Sequence, residues 1–283
     1  MDEADIQAAG GRDVVPEGAP AAPSSATRRA GLFLLAFASG FAVLTIELTG
    51  ARLIAPVFGL SAVPWTAVIG VILTALGAVG LGVLGAAALS LPVAFQEWRP
   101  DMRVDVVEID PAVTDNACAH FSYGKAQYPN IHVTHDDARI FLRKTDRRWD
   151  AIDLDVFDHL LTVPWTMVTV ETLTKAADRL EPGGLLVANV LSPLSGPGVG
   201  FLQRFRATLE EVFPALRVHA TDPGRDPAAI QNLIVVAASD PTALPDIDWP
   251  RAAPGPVGRP LSDAWAPVEY LQGGLFLGGV RWN

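Results

Sequence analysis

From Arg103 to Ala238 short apolar runs alternate with segments of helical spacing. Runs rich in Val, Ile and Leu cover residues 104–108, 131–134, 151–155 and 185–190, and helical stretches at 111–120, 137–144 and 165–180 lie between them. Short buried strands separated by helices predict a parallel sheet with helices on both faces. After Val190 the pattern changes to a helix near 199–212, a strand near 215–220, a Pro- and Gly-rich loop and a strand at 232–238. Two consecutive strands with no helix between them predict an antiparallel hairpin closing an otherwise parallel sheet. With a further strand at Gly80 to Leu84, the expected fold is α/β: a doubly wound, mostly parallel seven-stranded sheet with an antiparallel last strand.

The stretch before this alternation is of a different kind. Residues 31–96 carry two charged side chains, Glu47 and Arg52, whereas residues 97–283 carry 42. Gly31 to Leu48 gives eighteen residues of apolar sequence, a helix of roughly 27 Å against a hydrocarbon core of about 30 Å. A second uncharged run starts near Pro64. A cleaved signal peptide is the alternative for the first run, and the second run argues against it. Arg12, Arg28 and Arg29 precede the pair, Arg52 alone lies in its loop, and Arg99 and Arg103 follow. This bias puts both ends on the cytoplasmic side. Glu47 lies close enough to an interface to meet headgroups or pair with Arg52. The expected organisation is a disordered tail at 1–30, a transmembrane helical hairpin at 31–79 contacting membrane lipid, a soluble domain at 80–240 facing the cytoplasm, and a C-terminal extension at 241–283.

Composition narrows the chemistry. One cysteine, Cys118, excludes an intrachain disulfide framework and a cysteine-based zinc site, and is expected as a small buried side chain. The five histidines lack metal-ligand spacing, so no metal is expected; His159 reads as a loop residue. Residues 97–283 carry 17 basic and 25 acidic side chains, which disfavours nucleic acid and suits a cationic partner.

Val106-Val107-Glu108-Ile109-Asp110-Pro111 is an apolar strand closed by an acid. In doubly wound folds such an acid accepts from ribose hydroxyls, about twenty residues after a glycine turn. Counting back 23 residues from Glu108 gives Gly85. A competing register, Gly80-Leu81-Gly82-Val83-Leu84-Gly85, matches the dinucleotide fingerprint G-x-G-x-x-G, but would place Pro92 inside a helix at a cost of roughly 3 kcal/mol. With the turn at Gly85, Ser90 becomes the helix N-cap and Pro92 falls in the first turn. Asp137, before Ala138, is expected to cap the next helix, and an Asp at this position of a nucleoside-binding sheet can also accept from an adenine amino group. Asp155 and Asp158 close the fourth strand at the edge where this architecture binds ligands, and paired acids there can hold an ammonium group and take its proton.

Glu108, Asp137, Asp155-x-x-Asp158 and Glu181-Pro182-Gly183-Gly184, in that order, resemble the spermidine synthase (polyamine aminopropyltransferase) family, whose fold is of the adenosylmethionine-dependent transferase type. Residues 40–70 and Leu261 to Glu269 look like its bacterial membrane-fused branch. The resemblance implies that Gly85 and Glu108 bind the nucleoside with Glu108 on the ribose, that Asp137 and Ala138 contact the adenine, that Asp155 accepts the proton and that Asp158 holds the amine. It implies transfer of an aminopropyl group from decarboxylated S-adenosylmethionine to a small cationic amine such as putrescine, and leaves a homodimer open. Three departures stand beside it: Gly85-Ala86-Ala87-Ala88-Leu89-Ser90 replaces a loop richer in glycine that carries an Asp, an N-terminal β-hairpin domain has no counterpart, and only two spans precede the domain. A methyltransferase using S-adenosylmethionine, or a membrane-tethered binding protein without catalysis, are the competing expectations.

Overall fold

A computed structural model of the chain describes residues 77, 80–85, 89–121, 123, 124, 126–157, 162–244 and 258–277, with side chains described as far as 272. The expected tail and membrane hairpin, the loop positions Ala86 to Ala88, and Asp158 and His159 lie outside the described residues. No helix among the described residues is long and apolar enough to cross a membrane.

Seven strands form one sheet: β1 (Gly80–Leu84), β2 (Arg103–Glu108), β3 (Ile131–His135), β4 (Trp149–Leu154), β5 (Leu180–Ser192), β6 (Ala215–Ala220) and β7 (Gln231–Ala238). Their spatial order is β3-β2-β1-β4-β5-β7-β6. The first five strands pair in parallel, and β7 inserts antiparallel between β5 and β6. This is the expected sheet with its closing hairpin, and it reverses direction beside β1, where the chain steps outward first to β2 and later to β4. Such a switch point leaves a crevice at the carboxyl ends of the strands.

Among the described residues six helices accompany the sheet: α1 (Ser90–Trp98), α2 (Pro111–His120), α3 (Ala138–Lys144), α4 (Val170–Asp178), α5 (Gly200–Val212) and α6 (Val268–Leu277). Alternation along the strands divides the core in two. Val83, Val106, Val187 and Val236 pack with Leu91 and Phe95 of α1 on one face. Ile152, Leu154, Leu186 and Val235 pack with Leu142, Leu173, Phe201 and Phe205 of α3, α4 and α5 on the other. Burying both faces explains why the strands read as continuous apolar runs.

Several local expectations shift. The stretch 165–180 is not one helix: a 3-10 turn covers Trp165–Met167, and Thr169 then caps α4 by accepting from the Thr172 amide. Ser90 is the first helical residue and not the cap. Leu89 holds the cap position in a left-handed conformation at φ 62°, with no side-chain cap. Pro92 does fall in the first turn, so the later glycine register describes the chain better than the G-x-G-x-x-G one. Cys118 is exposed, because Ala117 takes the buried position of α2.

A buried carboxylate in the middle of β2 gathers three donors. Asp105 on β2 accepts from Arg103 Nη2 at 2.8 Å, Arg147 Nη1 at 2.7 Å and the Trp149 indole at 3.0 Å. Burial works against its ionised form, but the hydrogen bonds from Arg103 and Trp149 outweigh burial and hold the carboxyl below its ordinary range.

The C-terminal segment binds the helical layer. Asp263 accepts from Thr169 Oγ1 at 2.9 Å and pairs with Arg139, and its amide donates to Glu171 at 3.0 Å. Trp265 lies against the guanidinium groups of Arg204 and Arg259, 5.0 and 4.7 Å from the ring centroid. Fully buried Gln272 accepts from the Val163 amide at 3.1 Å, tying α6 to the segment that returns from the end of β4.

Candidate active site

The predicted residues stand side by side along the carboxyl edge, one strand after another: Asp137 after β3, Glu108 ending β2, Gly85 after β1 and Asp155 after β4. Three strand-to-strand steps of about 4.8 Å span roughly 14 Å, the length of a nucleoside carrying a short chain.

Gly85 is fixed from both sides. Its amide donates to the Val107 carbonyl at 2.9 Å, and the Asp155 amide donates to the Leu84 carbonyl at 3.0 Å. Its φ is +92°, and an added Cβ would lie 2.4 Å from the Asp155 carbonyl oxygen. Only glycine accommodates both conditions, so the turn and the carboxyl end of β4 meet without a side chain between them.

Glu108 is buried at the end of β2, and its Oε1 accepts from the Asp110 amide at 2.9 Å. Asp110 in turn caps α2 by accepting from the Ala112 amide at 2.9 Å, with Pro111 at the first helical position. One oxygen of Glu108 is thus tied to the backbone at the strand end where ribose hydroxyls are met in this architecture. Asp137 caps α3 through the Ile140 amide at 3.0 Å, and Ala138 is the first helical residue. The capping part of the Asp137 reading is therefore seen directly.

Asp155 lies one residue beyond β4. It is buried, 7% exposed, and its Oδ1 accepts from Asn189 Nδ2 at 3.0 Å. Burial pushes its carboxyl up to about 6, with the Asn189 hydrogen bond acting in the opposite direction. A carboxylate with raised proton affinity suits a proton acceptor working near neutrality.

Two residues that the pattern reading passed over belong to this neighbourhood. Asn189 interrupts the apolar run Leu185 to Val190, and Asp153 interrupts Ala151 to Leu154. A polar residue in the middle of a doubly buried strand was the available signal. Asp153 is 0% exposed, and neither carboxyl oxygen has a hydrogen-bond partner among the described residues.

Fold and edge together define the class: a seven-stranded α/β sheet of the methyltransferase-like type with acidic side chains along its carboxyl edge. Solved structures sharing the fold include a probable spermidine synthase from Corynebacterium glutamicum (TM-score 0.55, 22% identity, 75% of this chain and 78% of that one). A spermidine synthase in complex with the transition-state analogue AdoDATO gives a TM-score of 0.54 at 14% identity, covering 76% and 77%. Human methyltransferase-like protein 13 in complex with SAH gives 0.50 at 24%, covering 62% and 80%.

Among curated proteins, the chain is similar to the polyamine aminopropyltransferase of Vibrio vulnificus, 31% identical over 113 residues, which are 39% of this chain and 37% of that protein. A probable polyamine aminopropyl transferase of Bifidobacterium longum is 31% identical over 103 residues, 36% and 22% of the two chains. That of Synechococcus sp. is 25% identical over 189 residues, 64% and 58%. The chain spans less than two fifths of the first two relatives. No family model matches it.

Proposed function

We propose that the chain is an aminopropyltransferase of the spermidine synthase type, acting on decarboxylated S-adenosylmethionine and a small primary amine such as putrescine. The observation that carries this reading is Asp155: a buried carboxyl of raised proton affinity, held by Asn189 against the Gly85 turn at the carboxyl end of β4. Its support from outside the chain is the similarity to named polyamine aminopropyltransferases.

In this reading Glu108 binds the ribose, and Asp137 with Ala138 meets the adenine. Asp158 holds the acceptor amine. The neutral amine nitrogen attacks the carbon next to the sulfonium. A C–N bond forms, the C–S bond breaks with its electron pair on sulfur, and methylthioadenosine leaves as a neutral thioether. The proton shed by the new ammonium passes to Asp155. The sulfonium is already a good leaving group, so orientation and deprotonation carry most of the acceleration. Residues 31–79 would tether this domain to the cytoplasmic face of a membrane, a proposal supported by their two charges in a long apolar block.

Calorimetric titration of the full chain tests the function. Binding of decarboxylated S-adenosylmethionine or methylthioadenosine, with amine-dependent turnover, supports it. Preference for S-adenosylmethionine and S-adenosylhomocysteine would replace it with a methyltransferase. Folded protein that binds no nucleoside would end both readings.

A further inference from the structure

Asp153 has no part in the chemistry above, yet it is fully buried with no hydrogen-bond partner among the described residues for either carboxyl oxygen. It lies on β4 in register with Val83 of β1 and Val187 of β5. The next rows outward on the same face are Val106 and Val236, and α1 covers this face with Leu91, Val93 and Phe95. An isolated carboxylate in such a setting costs far more than a protonated one.

Strand alternation places Asp155, two residues on, on the same face and toward the carboxyl edge. Two polar side chains of α1 are engaged elsewhere: Gln96 donates to the Met102 carbonyl, and Glu97 accepts from the Tyr128 hydroxyl at 2.8 Å. Asp155 is the ionisable group that acts on Asp153. Two buried carboxyls two residues apart on one face of a strand cannot both ionise readily.

We propose that Asp153 and Asp155 work as one carboxyl pair holding a single proton at neutral pH, with Asp153 keeping the proton and Asp155 carrying the charge that meets a cationic amine. Burial and the Asp155 charge both favour the protonated form of Asp153. The deeper carboxyl keeps the proton because no donor among the described residues reaches it, while Asp155 has the Asn189 amide to stabilise its negative form. Asp153 is thus a positioning residue that acts through Asp155. It fixes the pair at one negative charge and leaves that charge at the end facing the crevice. The amine half of this inference rests on the proposed function; the proton half does not.

Infrared spectroscopy of the full chain in deuterated buffer near neutral pH tests it. Wild-type protein is expected to show a protonated-carboxyl stretch that disappears in Asp153→Val and in Asp153→Asn and persists in Asp155→Asn. Asp153→Val restores the apolar row between Val83 and Val187, so its thermal midpoint should exceed that of wild type by a margin that widens from about pH 5 to about pH 8. A wild-type spectrum with no such band would overturn the pair, as would a band that survives in Asp153→Val or vanishes in Asp155→Asn. A wild-type band in protein without transfer activity would leave the pair standing and remove only the transferase reading.

Discussion

Replacing Gly85 by alanine strikes the turn and the proposed base together, and Gly183 supplies the comparison. Both glycines have positive φ, +92° and +81°, but an added Cβ at Gly183 meets nothing within 4 Å, whereas at Gly85 it lies 2.4 Å from the Asp155 carbonyl oxygen. An alanine at positive φ costs about 1–2 kcal/mol, offset by about 0.4–1 kcal/mol from the stiffer unfolded chain. Gly183→Ala should therefore lose roughly 0.5–1 kcal/mol. At Gly85 the oxygen cannot swing away, because the Asp155 amide is tied to Leu84 and the Gly85 amide to Val107. Relieving the overlap breaks or stretches one of these bonds, adding about 1–2 kcal/mol. Gly85→Ala should lose roughly 2–3 kcal/mol in urea unfolding, with Asp155 displaced and nucleoside binding weakened more than stability alone explains. Equal losses at the two glycines would refute the argument that contact with β4, and not the backbone angle, makes Gly85 obligatory.

Asp155→Asn should abolish amine-dependent turnover, and wild-type turnover should fall as pH drops through about 6, where the base becomes protonated. A carboxyl raised from 3.8 to about 6 contributes stability below its unfolded value that is lost as pH rises through about 6, so Asp155→Asn should be more stable than wild type by up to about 3 kcal/mol at pH 8 and by little at pH 4, read by thermal melts. Asp105 runs the other way. Its lowered carboxyl contributes stability above the unfolded value that is lost as pH falls through the folded one, and Asp105→Ala, which strands the buried Trp149 indole N–H but leaves both arginines to water, should cost about 1–3 kcal/mol at pH 7 by urea unfolding, with a difference that shrinks in acid. Gln272→Ala removes the acceptor of the Val163 amide, so hydrogen exchange at Val163 should accelerate at a global stability loss of about 1–2 kcal/mol.

The elements that the pattern located well are those whose signal is local. β1, α2 and β6 fall on the expected residues because an apolar run, or Asp110 followed by Pro111, marks each one within a few positions. The stretch at 165–180 was read as one helix because its apolar spacing continues across Thr169, while the break there depends on that hydroxyl accepting from the Thr172 amide. Ser90 looked like a cap for its residue type, but Leu89 in a left-handed turn takes that place. Partners distant in sequence left no local trace: Asp105 meets Trp149, and Gln272 meets Val163, across 44 and 109 positions.

The site was legible in part for the same reason. Glu108 ends β2, while Asp155 and Asp137 follow β4 and β3 by one and two residues, so the pattern that reveals a strand points to the acid at its end, and the sheet order then aligns them along one edge. Asp153 and Asn189 lie inside strands, where the same pattern expects apolar side chains and treats an exception as noise. Their meaning depends on register: β4 and β5 pair Asp153 with Val187 and carry Asp155 next to Asn189. A carboxyl that no donor among the described residues reaches in that row is too costly to persist as packing alone. A buried exception to binary patterning is therefore the place in this chain where a search for function gains most from the fold.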